Sequence, residues 1–114
     1  MFLRPGNLNK TFILEKKTER IDENKRVKAE YDTLNPVIIR AVLAQAETSE
    51  KERWQQLQHP ISHTIVQRGR PKAKEGDRLI HDGRIFYIKG FDDPDELGAV
   101  TIYYAEERRD TYEN

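Results

Sequence analysis

His59, His63 and His81 are the histidines of this chain, and with the carboxylates of residues 92–96 they are the first places to look for chemistry. His59 and His63 are four residues apart, the spacing of paired metal ligands on a helix. Pro60 between them prevents that helical geometry. No HExxH or denser ligand cluster occurs, so the three read as sheet or surface histidines. The run Asp92-Asp93-Pro94-Asp95-Glu96 collects four carboxylates. It lacks the alternating ligand spacing and central glycine of a calcium loop, and reads as a solvated strand connection. The chain has no cysteine, hence no thiolate nucleophile, thiolate metal site or disulfide. No nucleophile-elbow, Walker-type or dinucleotide-binding glycine motif is present. The expectation is a protein that is not an enzyme and has no cofactor or metal.

A different chemistry is offered by Gln67-Arg68-Gly69-Arg70-Pro71-Lys72. Its Arg-Gly-Arg-Pro core resembles the AT-hook, in which an extended Arg-Gly-Arg lies in the narrow minor groove of A·T-rich DNA. Three features favour a plainer reading: the segment is fixed between two strands, it occurs once, and the chain is neutral overall. It reads as a strand connection ending at Pro71, followed by the turn Lys74-Glu75-Gly76-Asp77. Contact with a DNA backbone through Arg68, Arg70, Lys72 and Lys74 stays open.

These residues have to be positioned by a small scaffold. A chain of 114 residues fits one domain, 1–114. With 36% hydrophobic and 35% charged residues its core must be thin, and association with partners would add burial. Formal net charge is zero, which argues against non-specific nucleic-acid binding as the main task. The charge is nonetheless segregated. Residues 68–89 hold seven Lys/Arg against three Asp/Glu, whereas from Asp92 onward eight acidic residues face only Arg108 and Arg109. That polarity suits layered assembly. The start of the chain lacks an apolar run of signal-peptide length, and nothing approaches a membrane span. A soluble protein of a reducing cytoplasm, with no membrane partner, is expected.

Alternation of apolar and polar residues marks strands near 11–18, 37–45, 61–67, 78–81, 84–91 and 99–105. Phe12 and Leu14 share one face, as do Val37, Ile39, Ala41 and Leu43, with Arg40 on the other. Arg78–His81, Asp82-Gly83 and Arg84–Lys89 read as a hairpin on a type I′ turn, pairing His81 with Arg84, Ile80 with Ile85 and Leu79 with Phe86. Residues 19–35 read as a charged loop with a turn at Asp22-Glu23-Asn24 and a weak strand near Val27–Tyr31. Residues 106–114 read as a loose acidic tail. Six short strands without a βαβ rhythm imply a mainly β fold, a small antiparallel barrel or sandwich.

One helix interrupts this pattern, near 49–58, with Ser49 and Glu52 in capping-box spacing and Pro60 as its stop. It is too short to be stable alone, so it needs contacts from elsewhere. Trp54 and Leu57, three apart on one face, are the expected anchors to the barrel or to a neighbouring subunit.

The ordered run of Leu8–Leu14, Ile39–Leu43, Trp54–Ile65 and the Asp77–Gly90 hairpin resembles the bacteriophage head–tail joining family, the head-closure proteins also called stoppers or adaptors. The resemblance covers residue 8 to about 105, and the hairpin block is its most specific part. It implies a β-barrel assembled as a ring, commonly of twelve copies, in the virion connector and made in the cytoplasm of a bacterial host. The implied partners are further copies, the portal or adaptor protein above, a tail or tail-terminator protein below, and packaged double-stranded DNA in the channel. The connection between the second and third barrel strands projects to the channel in that family. Here it carries Glu47, Glu50, Lys51, Glu52, Arg53, Gln55 and Gln56, a mixed-charge set that would pass DNA without gripping it. A tail-terminator ring and a small DNA-binding barrel acting through Arg68–Lys74 are the alternatives.

Overall fold

The computed structural model describes residues 9–108 apart from 22 and 95, and leaves the side chains of 20, 28 and 29 aside. Leu8, Asp95 and the tail 109–114 thus lie outside the described residues. Among the described residues the strands are β1 (Asn9–Glu15), β2 (Lys17–Ile21), β3 (Val27–Tyr31), β4 (Val37–Gln45), β5 (His63–Arg68), β6 (Arg78–His81), β7 (Arg84–Asp92) and β8 (Val100–Arg108), with one helix, α1 (Thr48–Gln56), between β4 and β5. Six strands close an antiparallel barrel in the order β1-β4-β5-β8-β7-β6, and β2 and β3 form a separate two-stranded sheet.

Inward residues follow the two-residue period. Phe12, Leu14, Ile39, Ala41, Ile65, Leu79, Phe86, Ile88, Tyr103 and Ala105 fill the barrel, with Val37 and Leu43 packed against them. Phe12 and Phe86 meet edge to face, ring centroids 6.0 Å apart. The β6–β7 hairpin has the register the Asp-Gly turn predicts, with Asp82 and Gly83 at φ 51° and 75°. A bulge between Ile88 and Gly90 bends β7.

Four expectations need correction. The run predicted as one strand over 11–18 divides at Lys16, because the alternation that buries Phe12 and Leu14 ends at Glu15 and the chain leaves the wall. The weak strand expected near Val27–Tyr31 is present as β3, but the charged loop before it is partly strand: β2 pairs with β3 to form an arm that turns at residues 23–25. Residues 106–108 belong to β8, since Glu107 opposes Phe86 and Arg108 opposes Ile85. The capping box of α1 uses Glu47 and Glu50 instead of Ser49 and Glu52, with the Glu47 N–H donating to Glu50 Oε1 at 3.4 Å.

The arm is fixed at its root. Asp32 N–H donates to Lys16 O at 2.9 Å, and Lys17 N–H to Asp77 Oδ1 at 2.8 Å. The Tyr31 ring lies 4.0 Å under the Arg78 guanidinium, which is also bonded to Glu15 at 2.6 Å.

Candidate functional site

The basic segment Arg68–Lys74 crosses one end of the barrel, held from beneath by a buried polar cluster. β5 brings Gln67 to an inward position, and β8 brings Tyr103 and Thr101. The Tyr103 hydroxyl donates to Gln67 Oε1 and accepts from Lys72 N–H at 2.9 Å and Ala73 N–H at 3.3 Å. Gln67 Nε2 donates to Arg70 O at 2.7 Å, and Thr101 Oγ1 to Gly69 O at 2.8 Å. Ala73 joins the core itself. Burial pushes the Tyr103 phenol above its usual range, so it stays neutral and keeps both roles.

Asp77 completes the anchorage. It is buried; Oδ1 accepts the arm's Lys17 N–H, and Oδ2 accepts Lys74 N–H at 3.0 Å. One carboxylate thus ties the arm root to the foot of the basic segment.

Arg68, Arg70, Lys72 and Lys74 are all exposed, and none has an ion pair among the described residues. Lys16, Lys72, Lys74, Pro71 and Phe91 line a concavity beside them. The backbone turns at Gly69, φ +92°, so Arg68 and Arg70 do not lie on an extended Arg-Gly-Arg ribbon of the AT-hook kind. Arg70 instead lies over Gly98, where a Cβ would approach its Cγ to 2.8 Å. Phosphate contact by cations on a rigid loop is the chemistry this arrangement supports.

The helix enters and leaves at the opposite end, between Gln45 and His63. α1 lies on the outer wall, where Trp54 stacks on Tyr104 at 4.9 Å and shares a small apolar cluster with Ala46, Ile61 and Ile102. Arg53 lies 5.5 Å above the Tyr104 ring, and its Nη2 is 3.9 Å from Asp92 Oδ2, which accepts the Tyr104 hydroxyl at 2.9 Å. Burial, then that hydrogen bond, pushes the Tyr104 phenol up. Leu57 is 57% exposed and takes no part in this cluster. Glu47, Lys51, Glu52, Arg53, Gln55 and Gln56 are exposed, and Glu50 is half-buried. Arg53 on the helix thus meets Asp92, and Arg70 on the basic segment meets Gly98, one contact on each side of the acidic connection.

At the other end of β5, Ser62, His63 and Glu107 look superficially like a catalytic set. Ser62 Oγ and His63 Nδ1 are 2.8 Å apart, but Glu107 forms two hydrogen bonds with Arg84 and stands 4.0 Å from His63 Nε2. Burial lowers the His63 pKa, and the ring packs on Phe86 at 5.3 Å. This is a plug for the barrel end. Among the described residues no group of three or more potential metal ligands occurs, and no helix is long and apolar enough to cross a membrane.

Sequence reasoning missed Tyr103, Gln67 and Asp77. The available signal was Gln67, a polar residue two positions after the inward Ile65.

The fold has a counterpart among known proteins. A chain of a solved structure described as the virion of a native gene transfer agent (GTA) particle matches at 17% identity, covering 86% of this chain and 93% of that one, with a TM-score of 0.56. At that identity the likeness is one of fold. No curated protein matches the sequence. The profile of the phage head completion proteins matches residues 3–108, spanning the barrel, the arm and both surface segments, and the chain accordingly belongs to the phage head completion protein family.

Proposed function

We propose that this protein is a non-enzymatic subunit of the phage connector. Copies of it form a ring below the portal, extend and help close the DNA channel, and present the surface on which the tail docks. The observation that carries the reading is the anchored basic segment Arg68–Lys74, together with a mixed-charge helix that reaches Asp92 through Arg53. A neutral barrel here bears exposed cations on a loop too well anchored to collapse, and a helix of mixed charge. Double-stranded DNA passing such a surface meets phosphate contacts at Arg68, Arg70, Lys72 and Lys74. At Glu47, Glu50, Lys51, Glu52, Arg53, Gln55 and Gln56 it meets charges of both signs, which limits retention.

Trp54 gives the helix its orientation, and Leu57, left exposed by the protomer, is the side chain offered to a neighbour. A helix anchored in this way narrows a channel by where the ring holds it, without acting as a free flap. Negative-stain imaging of the protein mixed with its portal tests the reading. Decoration of the portal ring is the expected result; a bare portal at saturating protein removes it.

A further inference from the structure

The barrel is closed, so each of β1, β4, β5, β6, β7 and β8 has a partner strand on both sides. Among the described residues the arm is the element whose outer strand edges have no partner over their whole length, a ribbon of two five-residue strands that would be marginal alone in water. Its tip exposes a cross-strand aliphatic pair: Ile21 opposes Val27, 71% and 66% exposed. An exposed aliphatic pair also lies on the barrel wall. Ile13 opposes Ile38, 42% and 63% exposed, pointing outward between the inward Phe12, Leu14 and Ile39.

Each pair has an exposed charge two residues along one of its own strands. Glu19 lies two residues from Ile21 on the same strand face, and Arg40 lies two residues from Ile38 on the outer face of β4. Both are exposed and have no ion pair among the described residues. Two residues of strand span about 6.6 Å on either surface. An aliphatic pair and an anion on the arm thus match an aliphatic pair and a cation on the wall at equal spacing.

We propose that the arm of one copy docks its Ile21/Val27 face on the Ile13/Ile38 wall of the next, with Glu19 meeting Arg40. The arm leans at its root toward β6 and β7, through Tyr31 against Arg78 and Tyr87, whereas Ile38 lies on β4 across β1. Two different patches of one surface meet, so the contact is head-to-tail and each copy keeps one donor and one acceptor half. Such a contact closes a ring when the rotation allows. The proposal rests on the reading that copies of this chain assemble, and adds which surfaces they use.

The chain has no cysteine, so Val27→Cys and Ile38→Cys introduce the sole thiols. After treatment with a short bismaleimide linker, the double variant should give a ladder of cross-linked multimers. An equal mixture of the two single variants should stop at a dimer, because one contact then remains linkable, and each single variant alone should give none. Homodimers from Val27→Cys alone mean that arms pair with arms. An intrachain product means that the arm lies on its own barrel. Either overturns the proposal. Oligomers in sedimentation without any ladder overturn the docking site and leave the ring reading standing; a wild-type protein that stays monomeric and gives no ladder overturns both. Glu19→Arg and Arg40→Glu should each weaken association about fivefold, and together restore it. Failure of the pair to rescue removes the charge contact.

Discussion

The indole of Trp54 occupies the space that a side chain on Gly90 would need: a Cβ placed there would meet Trp54 Cη2 at 2.5 Å. Gly90 does not have a positive φ, so the position requires a missing side chain and not an unusual backbone. Gly90→Ala should displace the helix at a cost of about 1–3 kcal/mol, the usual range for overpacking. Trp54 is the one tryptophan, so its emission reports the helix directly. A red shift with unchanged barrel circular dichroism is expected; unchanged emission and stability would contradict the docked helix.

Tyr103→Phe removes a hydroxyl that serves Gln67, Lys72 and Ala73 at once. Buried donors left without an acceptor cost about 1–3 kcal/mol. The amides of Lys72 and Ala73 should exchange faster with solvent than in the wild type. If only global stability falls, the tyrosine supports the core without fixing the loop.

The barrel and the wall contacts set an alkaline limit. Burial raises the phenol pKa of Tyr31, Tyr103 and Tyr104. In the unfolded chain these groups ionise near about pH 10. The unfolded state therefore loses protons first, so the stabilisation is complete below that pH and falls as pH rises through the raised values. The thermal midpoint should decline from about pH 9 upward, in step with tyrosinate absorbance, and more shallowly in Tyr103→Phe. A flat profile would show that the phenols are solvated.

Asp77→Ala leaves the N–H groups of Lys17 and Lys74 without their carboxylate. A loss of about 1–3 kcal/mol is expected, with faster amide exchange at both positions although they are far apart in sequence. Exchange rising at one position alone would mean that the arm and the basic segment are held independently.

DNA contact can be read from salt dependence. Removing one cation that touches a phosphate should flatten the slope of log K against log salt by about 0.9. Arg68→Ala combined with Arg70→Ala should flatten it by about twice that, without sequence preference. Arg53→Ala in the mixed-charge helix should change it less. Equal slopes for wild type and double variant would remove the basic segment from the DNA path.

The barrel was legible in the sequence wherever one strand face is apolar. Ile39, Ala41 and the Asp82-Gly83 hairpin needed only period-two alternation and turn chemistry. β8 was harder because both its faces are covered: Thr101 and Tyr103 point inward, while Ile102 and Tyr104 lie under α1. The arm was legible only in part: Val27–Tyr31 read as a weak strand, whereas most of Lys17–Ile21 read as loop because it buries no face in the barrel and carries charge at three of its five positions. Its placement depends on Asp77, 60 residues from Lys17, which no local pattern encodes. The cations at 68–74 were visible by composition, but the Tyr103–Gln67 support beneath them was not. The barrel has no edge strand to add burial by pairing with a partner, since β1 pairs with both β4 and β6.

That closure has a consequence for timing. Joining Ile13 to Ile80 completes the hydrophobic interior within a single chain. Non-local pairing of this kind is slow, in the millisecond-to-second range typical of barrels. It nevertheless finishes without waiting for a second molecule. In the proposed ring, folding and association would then be separate stages: each copy would arrive as a finished part, and local concentration, rather than refolding against a neighbour, would set the pace of building.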